Sequence, residues 1–346
     1  MHHLTTIAVD IAKSVFAVAV SNKPGRIAER VTLKRSQFLA FFADRRPAVV
    51  VLEACGSGHH WARQLAKLGH SPVLPPAHYV KPYVRRDKTD HADAAALLEA
   101  YRNRDIRPVP VKSVAQQTLT ALHRLRAAWI GTRTARINTL RGILRELGLV
   151  IPAGAEHVQP ALTALLARPD QPLPGALQPA LLDLAAEIAT LEERIADVER
   201  QLDCLAGELP AVRRLLTIPG IGLVTATALV AFVGDCTRFR SGRHFASFLG
   251  LTPRECSTGG RQRLGRISKR GDVYLRTLLV AGARSALLGA RRMKQPDRLR
   301  GWALRLERRG CHNRAAIAVA NKLARIAWAV WTKDHDFQVI AVDQAA

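Results

Sequence analysis

The run Ala48-Val49-Val50-Val51-Leu52-Glu53 decides how the first third of the chain folds. Consecutive valines closed by leucine leave no polar side, so the run reads as a strand buried on both faces. It ends on a carboxylate. Upstream, Leu4–Asp10 and Ser14–Val20 are short apolar runs separated by a few residues, the pattern of a hairpin. Arg26–Leu33 reads as a third strand, Ser57–Leu68 has helical spacing, and Ser71–Leu74 is a short strand before Pro75 and Pro76. The helical pattern returns from Thr89 through Tyr101. Strands first, with helices interleaved later, predict a mixed sheet with flanking helices, an α/β domain over residues 1–110.

The rest of the chain reads as α. Residues 111–150 form a basic helix or helix pair, carrying Arg124, Arg126, Arg133, Arg136, Arg141 and Arg145. Proline and glycine crowd 152–175 and predict a linker. Leu177, Leu181, Leu184, Ile188, Leu191, Ile195, Val198, Leu202 and Leu205 then recur at alternating spacings of four and three. That is an apolar heptad seam. It predicts a stalk within 111–210, packed on its own domain or as a coiled coil between chains. Self-association is expected from it. Residues 211–346 are expected to be an all-α basic domain opening with LLTIPGIG (215–222), which has the form of a helix–hairpin–helix.

Charge narrows the function. Lys and Arg number 52 against 28 Asp and Glu, a formal charge of +24. The excess is uneven. Residues 1–110 carry 17 basic and 9 acidic residues, residues 176–210 carry 2 and 8, and residues 238–310 carry 19 and 4. A balance this basic points to a polyanion, nucleic acid before membrane. No run approaches the roughly 18 uninterrupted apolar residues of a spanning helix, and MHHLTTIAVD does not have the build of a secretory signal. Cys55, Cys204, Cys236, Cys256 and Cys311 are scattered with no CxxC pair, so neither a zinc site nor a disulfide framework is indicated. A cytoplasmic setting is expected, with no membrane partner.

Four acids stand where local structure would present them. Asp10 ends the first strand and Glu53 the buried one, while Asp90 and Asp93 sit three apart at the start of a helix, on one face. Each has a plain alternative: Asp90 as a helix cap, Asp93 as a first-turn acid, Glu53 as an arginine partner. Gathered at one sheet edge, four carboxylates would repel unless cations neutralised them. Oxygen ligands suit Mg²⁺, with Mn²⁺ possible, and such ions can hold a scissile phosphate.

A second set lies in Ser257-Thr258-Gly259-Gly260 and the stretch after it. Two glycines let backbone approach a phosphate. Arg261, Arg263, Arg266, Lys269 and Arg270 supply cations for it. Ser257 is the first candidate nucleophile, with Thr258 and Ser268 as alternatives. A serine hydroxyl needs activation. No histidine is nearer in sequence than His244, so a metal held by the carboxylates is the expected source. Gly220 and Gly222 of the PGIG turn would expose N–H groups to phosphate. Arginines at 291, 292, 298, 300, 305, 308 and 309, around Trp302, read as phosphate contacts because acids are scarce among them.

VDIAK (9–13), LEACG (52–56), KTDHADA (88–94), TIPGIG (217–222), FLGLTPRECSTGG (248–260) and RLGRISKRGDVYLRTLL (263–279) together resemble the ordered blocks of the IS110/IS1111 family of insertion-sequence transposases. The last two are closer to the IS1111 branch. The resemblance covers nearly the whole chain. It implies a RuvC-like, ribonuclease H-type first domain with a DEDD metal site on Asp10, Glu53, Asp90 and Asp93, and a second domain whose nucleophilic serine joins DNA covalently. It also implies donor and target DNA as partners, a structured noncoding guide RNA, a tetrameric state and a composite site. The alternatives are a hydrolytic, structure-specific nuclease using the same carboxylates with water, and a non-enzymatic nucleic-acid-binding protein.

Overall fold

The structure is a computed structural model that describes residues 5–84, 89–168 and 173–338. Leu4 of the first expected strand, Lys88 of the KTDHADA block and residues 169–172 of the expected linker lie outside these. Contacts divide the chain into two compact units, Met1–Ser113 and Val114–Ala346.

The first unit is the expected mixed sheet. Strands β1 (Thr6–Ile11), β2 (Val15–Ser21) and β3 (Glu29–Lys34) form an antiparallel meander. After helix α1 (Phe38–Ala43), strand β4 (Val49–Leu52) enters parallel to β1. Helix α2 (Gly58–Lys67) leads to β5 (Ser71–Val73), parallel to β4. The sheet order is β3-β2-β1-β4-β5. Helices α3 (Ala77–Val80) and α4 (Asp90–Arg102) complete the unit. The valine run is buried on both faces: Val50 and Leu52 pack with Phe16, Phe38, Phe42 and Trp61 on one, and Val51 packs with Ala8 and Leu97 of α4 on the other. Helix α1 escaped the pattern reading because six residues hold too few turns to show a period.

The second unit begins with one unbroken helix, α5 (Val114–Glu146). The described part of the proline-rich stretch after it is not a linker. It holds helix α6 (Val158–Leu166), whose Pro160 sits in the first turn, where a missing N–H costs nothing. Val158, Leu162, Ile151 and Leu173 of this stretch are buried against Leu140, Leu144 and Ile188.

Helix α7 (Gln178–Gly207) carries the heptad seam, and its partner lies in the same chain. Leu181, Ile188, Leu191, Ile195, Val198 and Leu202 are all buried. The upper part packs with Ile137, Leu140 and Leu144 of α5, and the lower part with Leu119 of α5. An expected interface between chains is therefore an intrachain helical hairpin. Charge explains the choice: Glu199, Glu192 and Glu187 of α7 pair with Arg126, Arg133 and Arg136 of α5. As one set of numbers rises the other falls, so the helices run antiparallel.

Helices α8 (Pro210–Leu216), α9 (Leu223–Val233) and α10 (Gly242–Phe248) follow. The domain is not all-α. Strands β6 (Pro253–Glu255) and β7 (Leu264–Ile267) make an antiparallel hairpin. Helices α11 (Val273–Arg292), α12 (Arg298–Arg308) and α13 (His312–Lys333) close the unit. Among the described residues α11 is the one helix of the length and apolar content that could cross a membrane. It buries Leu275, Leu279, Ala283 and Leu287 in the core of this unit and carries Arg276, Arg284, Arg291 and Arg292.

His123 ties this unit together. It is fully buried on α5, with Nδ1 3.1 Å from the Tyr274 hydroxyl of α11 and Nε2 3.0 Å from the Thr227 hydroxyl of α9. Thr227 donates its own proton to the Leu223 carbonyl at 2.7 Å, so Nε2 carries the imidazole proton and Nδ1 accepts from Tyr274. Burial, aided by Arg126, pushes this histidine down to about 4.

Candidate catalytic residues

The sheet register sets the carboxylates. Val9 of β1 pairs with Leu52 of β4 in parallel, so Asp10, the next-to-last residue of β1 rather than its end, and Glu53, just past β4, lie at the same end of neighbouring strands. Side chains alternate along a strand, which puts Asp10 on the face of Ala8 and Glu53 on the face of Val51. Both alanine and valine belong to the core beneath α4.

Helix α4 brings the other two acids to that face. Asp10 pairs with Ala17 of β2, and Ala17 with Thr32 of β3. The Thr32 hydroxyl lies 3.2 Å from His91 Nε2, in the first turn of α4. One lateral row, Asp10–Ala17–Thr32, thus ends beneath the turn holding Asp90 and Asp93. These acids prolong the buried stripe of Ala94, Leu97 and Leu98 toward the helix start. Asp90 is not the cap: Thr89 is, its hydroxyl accepting from the Ala92 N–H at 3.2 Å. Asp90 is exposed, while Asp10, Glu53 and Asp93 are half-buried.

Four carboxylates on one face of one sheet end are a hard-oxygen donor set, the chemistry that suits a divalent cation. Among the described residues, no three Asp, Glu, His or Cys side chains converge tightly enough to grip an ion. His59, in the first turn of α2, is no acid: burial first, then Lys112 and Arg63, push it down to about 4. Its Nδ1 accepts the Lys112 N–H at 3.2 Å.

In the second unit the serine stands on the β6–β7 hairpin. Gly259 and Gly260 have φ of +55° and +74°, the left-handed pair of a two-residue hairpin turn. Thr258 and Arg261 exchange backbone hydrogen bonds of 3.3 and 3.0 Å across it. The glycines therefore serve to turn the chain. Ser257 sits immediately before the turn, exposed. Its hydroxyl donates to Glu255 Oε1 at 2.6 Å, and its Oγ accepts the Arg263 N–H at 3.1 Å. Ser268 instead accepts from the Arg270 N–H at 3.4 Å in the turn before α11. Arg261, Arg263, Arg266, Lys269 and Arg270 are all exposed. Arg254, Cys256, Arg263, Arg266 and Lys269 line one groove along the hairpin.

Glu255 was missed by the sequence reading. Its spacing of two from Ser257 puts both on one side of an extended strand. The signal was Gly-Gly between two short runs, which marks a hairpin.

The PGIG turn does link α8 to α9. A Cβ on Gly220 would lie 2.8 Å from the Gly282 carbonyl oxygen, and one on Gly282 would lie 1.9 Å from that of Gly220. This close packing on α11 accounts for the glycine at 220. Gly222, at the cap of α9, is exposed. Two of the later arginines have partners inside the unit. Arg291 pairs with Glu307, and Arg300 with Asp297. Arg292, Arg298, Arg305, Arg308 and Arg309 are exposed, beside a half-buried Trp302.

Known proteins share this layout. Residues 7–148 match a transposase model for the DEDD domain of the IS110 type, and residues 212–297 match the model described as the transposase IS116/IS110/IS902 family. A probable family 20 transposase of Pseudomonas aeruginosa is 44% identical over 96% of this chain and 98% of its own length. The transposase of insertion sequence element IS1111A from Coxiella burnetii is 37% identical over 98% of this chain and 92% of its own. That of IS1328 from Yersinia enterocolitica is 36% identical over 97% and 99%. With both units matched in order and relatives aligned nearly end to end, the chain belongs to the IS110/IS1111 family of insertion-sequence transposases.

Proposed function

We propose that this transposase cuts and rejoins DNA through Ser257, assisted by a divalent metal held by Asp10, Glu53, Asp90 and Asp93. One observation carries the serine: an exposed hydroxyl, already hydrogen-bonded as donor and acceptor, stands on a hairpin flanked by Arg254, Arg261, Arg263 and Arg266. Cations so placed bind the phosphate and offset charge that grows on its oxygens. Thr258 is committed to the turn through its backbone, and Ser268 lies in the turn before α11.

The four carboxylates would hold Mg²⁺, or Mn²⁺, which when bound neutralises phosphate charge and polarises the bond to be broken. The β3-β2-β1-β4-β5 sheet with its acids at one end supports a RuvC-like, ribonuclease H-type reading of this unit. Gly222 and the exposed arginines of α11 and α12 would contact phosphates of donor and target DNA. The noncoding guide RNA, the higher oligomer and a bacterial cytoplasmic setting come to this reading from the family resemblance. The heptad seam no longer supports the oligomer, since α5 covers it.

A plasmid carrying the complete insertion sequence, which supplies any RNA it encodes, tests the reading in Escherichia coli. Ser257→Ala and Asp10→Asn should each abolish both circular element junctions and the covalent protein–DNA adduct recovered from denatured lysates. Cleaved DNA that persists in Ser257→Ala without an adduct would make the enzyme a hydrolytic nuclease and remove the serine from the chemistry.

A further inference from the structure

The span from residue 238 to 310 holds 4 acids among its 19 basic residues: Glu255, Asp272, Asp297 and Glu307. Three have structural duties. Asp272 caps α11, accepting the Leu275 N–H at 2.9 Å. Asp297 caps α12, accepting the Arg300 N–H at 2.8 Å. Glu307 joins α12 to its neighbours, holding Arg291 at 3.1 Å and His312 at 2.7 Å. Glu255 caps nothing. Among the described residues, its side-chain hydrogen bond is the one from Ser257, at 2.6 Å.

A lone carboxylate among so many cations would be expected to find an arginine. This one faces a hydroxyl. Ser257 lies two residues beyond the end of β6, and the Cys256 N–H bonded to the Arg263 carbonyl at 2.9 Å keeps the chain paired between them, so Glu255 and Ser257 share a side. The Arg263 N–H, donated across the hairpin at 3.1 Å, fixes the oxygen from the other strand. The hydroxyl proton is thereby pointed at Glu255, and the remaining lone pair of Oγ is left for an incoming group.

We infer that Glu255 is a catalytic residue, the general base for Ser257. This rests on the reading of Ser257 as nucleophile. In the forward step the Oγ–H proton passes to Glu255 Oε1 as Oγ bonds to phosphorus. The phosphorus–oxygen bond to one strand breaks, and the departing oxygen takes a proton from water. On rejoining, the incoming strand hydroxyl loses its proton to water and attacks the phosphoserine. Oγ then leaves phosphorus and recovers its proton from Glu255. The Arg263 N–H stabilises Oγ while it is negative. No histidine is required.

The plasmid assay in Escherichia coli distinguishes this from the reading it rests on. Glu255→Gln keeps an oxygen that accepts the serine hydroxyl but cannot hold its proton. It should lower adduct and circle formation by about 100-fold or more, with binding of a short duplex DNA unchanged. Glu255→Asp should recover part of the loss, and Glu255→Ala should resemble Glu255→Gln. If Ser257→Ala abolishes the adduct while Glu255→Gln stays within a few-fold of the natural protein, the base assignment falls and the serine stands. The base assignment also falls if only Glu255→Ala is defective, since Glu255 would then merely orient the hydroxyl. An adduct that survives Ser257→Ala overturns the nucleophile and the inference with it.

Discussion

The arginines of α5 and those of the β6–β7 hairpin are one residue type in opposite surroundings. On α5, Arg126, Arg133 and Arg136 each meet a glutamate of α7, and Arg141 donates to the Pro152 and Gly154 carbonyls. On the hairpin, Arg254, Arg261, Arg263 and Arg266 are exposed, and the single acid beside them is engaged by Ser257. Net charge along a sequence is therefore a poor guide until intramolecular partners have been subtracted. Residues 176–210 carry 2 basic and 8 acidic residues. Three of those acids, Glu187, Glu192 and Glu199, are used within the chain, fastening α7 to α5.

Removing hairpin charge should have the largest effect on DNA binding. Replacing Arg261, Arg263, Arg266 and Lys269 with Gln should weaken binding to duplex DNA by orders of magnitude. It should also flatten the dependence of log affinity on log salt, by roughly 0.9 for each phosphate no longer neutralised and so about 3 to 4 for the set. Titration at several salt concentrations measures this. Replacing Arg126, Arg133 and Arg136 in the same way should leave the slope in place. Equal flattening by both sets would mean that α5 also lies on DNA.

A second test asks whether α5 is held by burial as well as by charge. His123 is neutral in the folded chain, pushed down to about 4 from the usual 6.5. The unfolded chain binds the proton more readily, so stability rises with pH wherever the two states differ. The contribution is complete above about pH 6.5 and is lost as pH falls toward 4, amounting to about 3 kcal/mol. His123→Gln should cost stability at neutral pH and should also remove much of that acid sensitivity. Denaturant unfolding between pH 4 and 7 reads both. An unchanged acid slope in His123→Gln would place the titrating group elsewhere; His59, lowered to about 4 in the other unit, would be the next to replace.

The comparison also shows what the sequence could and could not disclose. Every strand of the first sheet was legible, because Val49, Val50 and Val51 admit one reading and the two runs before them are short and apolar. Asp10 and Glu53 followed from strand ends, and Asp90 with Asp93 from helix spacing. What eluded the pattern was partnership. A heptad seam on α7 specifies an apolar partner without saying from which chain, and only the antiparallel pairing with α5 answers that. Pro160 resembled a breaker because its place in the first turn of α6 could not be known. The hairpin was hidden by its own chemistry: with an Arg on each strand, Glu on one, Gly on the other and almost nothing buried, β6 and β7 lack the apolar alternation that announces a strand. Glu255 was lost along with it.

The smallest expected effect is the most discriminating for the α5–α7 pairing. The Arg136–Glu187 pair is 2.8 Å long with both side chains 44% exposed. Such a pair contributes less than about 0.5 kcal/mol. Arg126–Glu199, at 2.7 Å, has its arginine only 17% exposed. Solvent screens it less, and losing its glutamate leaves a cation partly shielded from water beside His123, whose own protonation Arg126 opposes. Glu199→Gln should therefore cost more stability than Glu187→Gln, by about 1 kcal/mol at low salt, with the gap narrowing as salt is added. Because the seam is filled within the chain, neither change should alter the oligomeric state seen by sedimentation. If Glu187→Gln were the more damaging, or if either variant changed the number of chains, the acids of α7 would be engaged by a second copy rather than by α5.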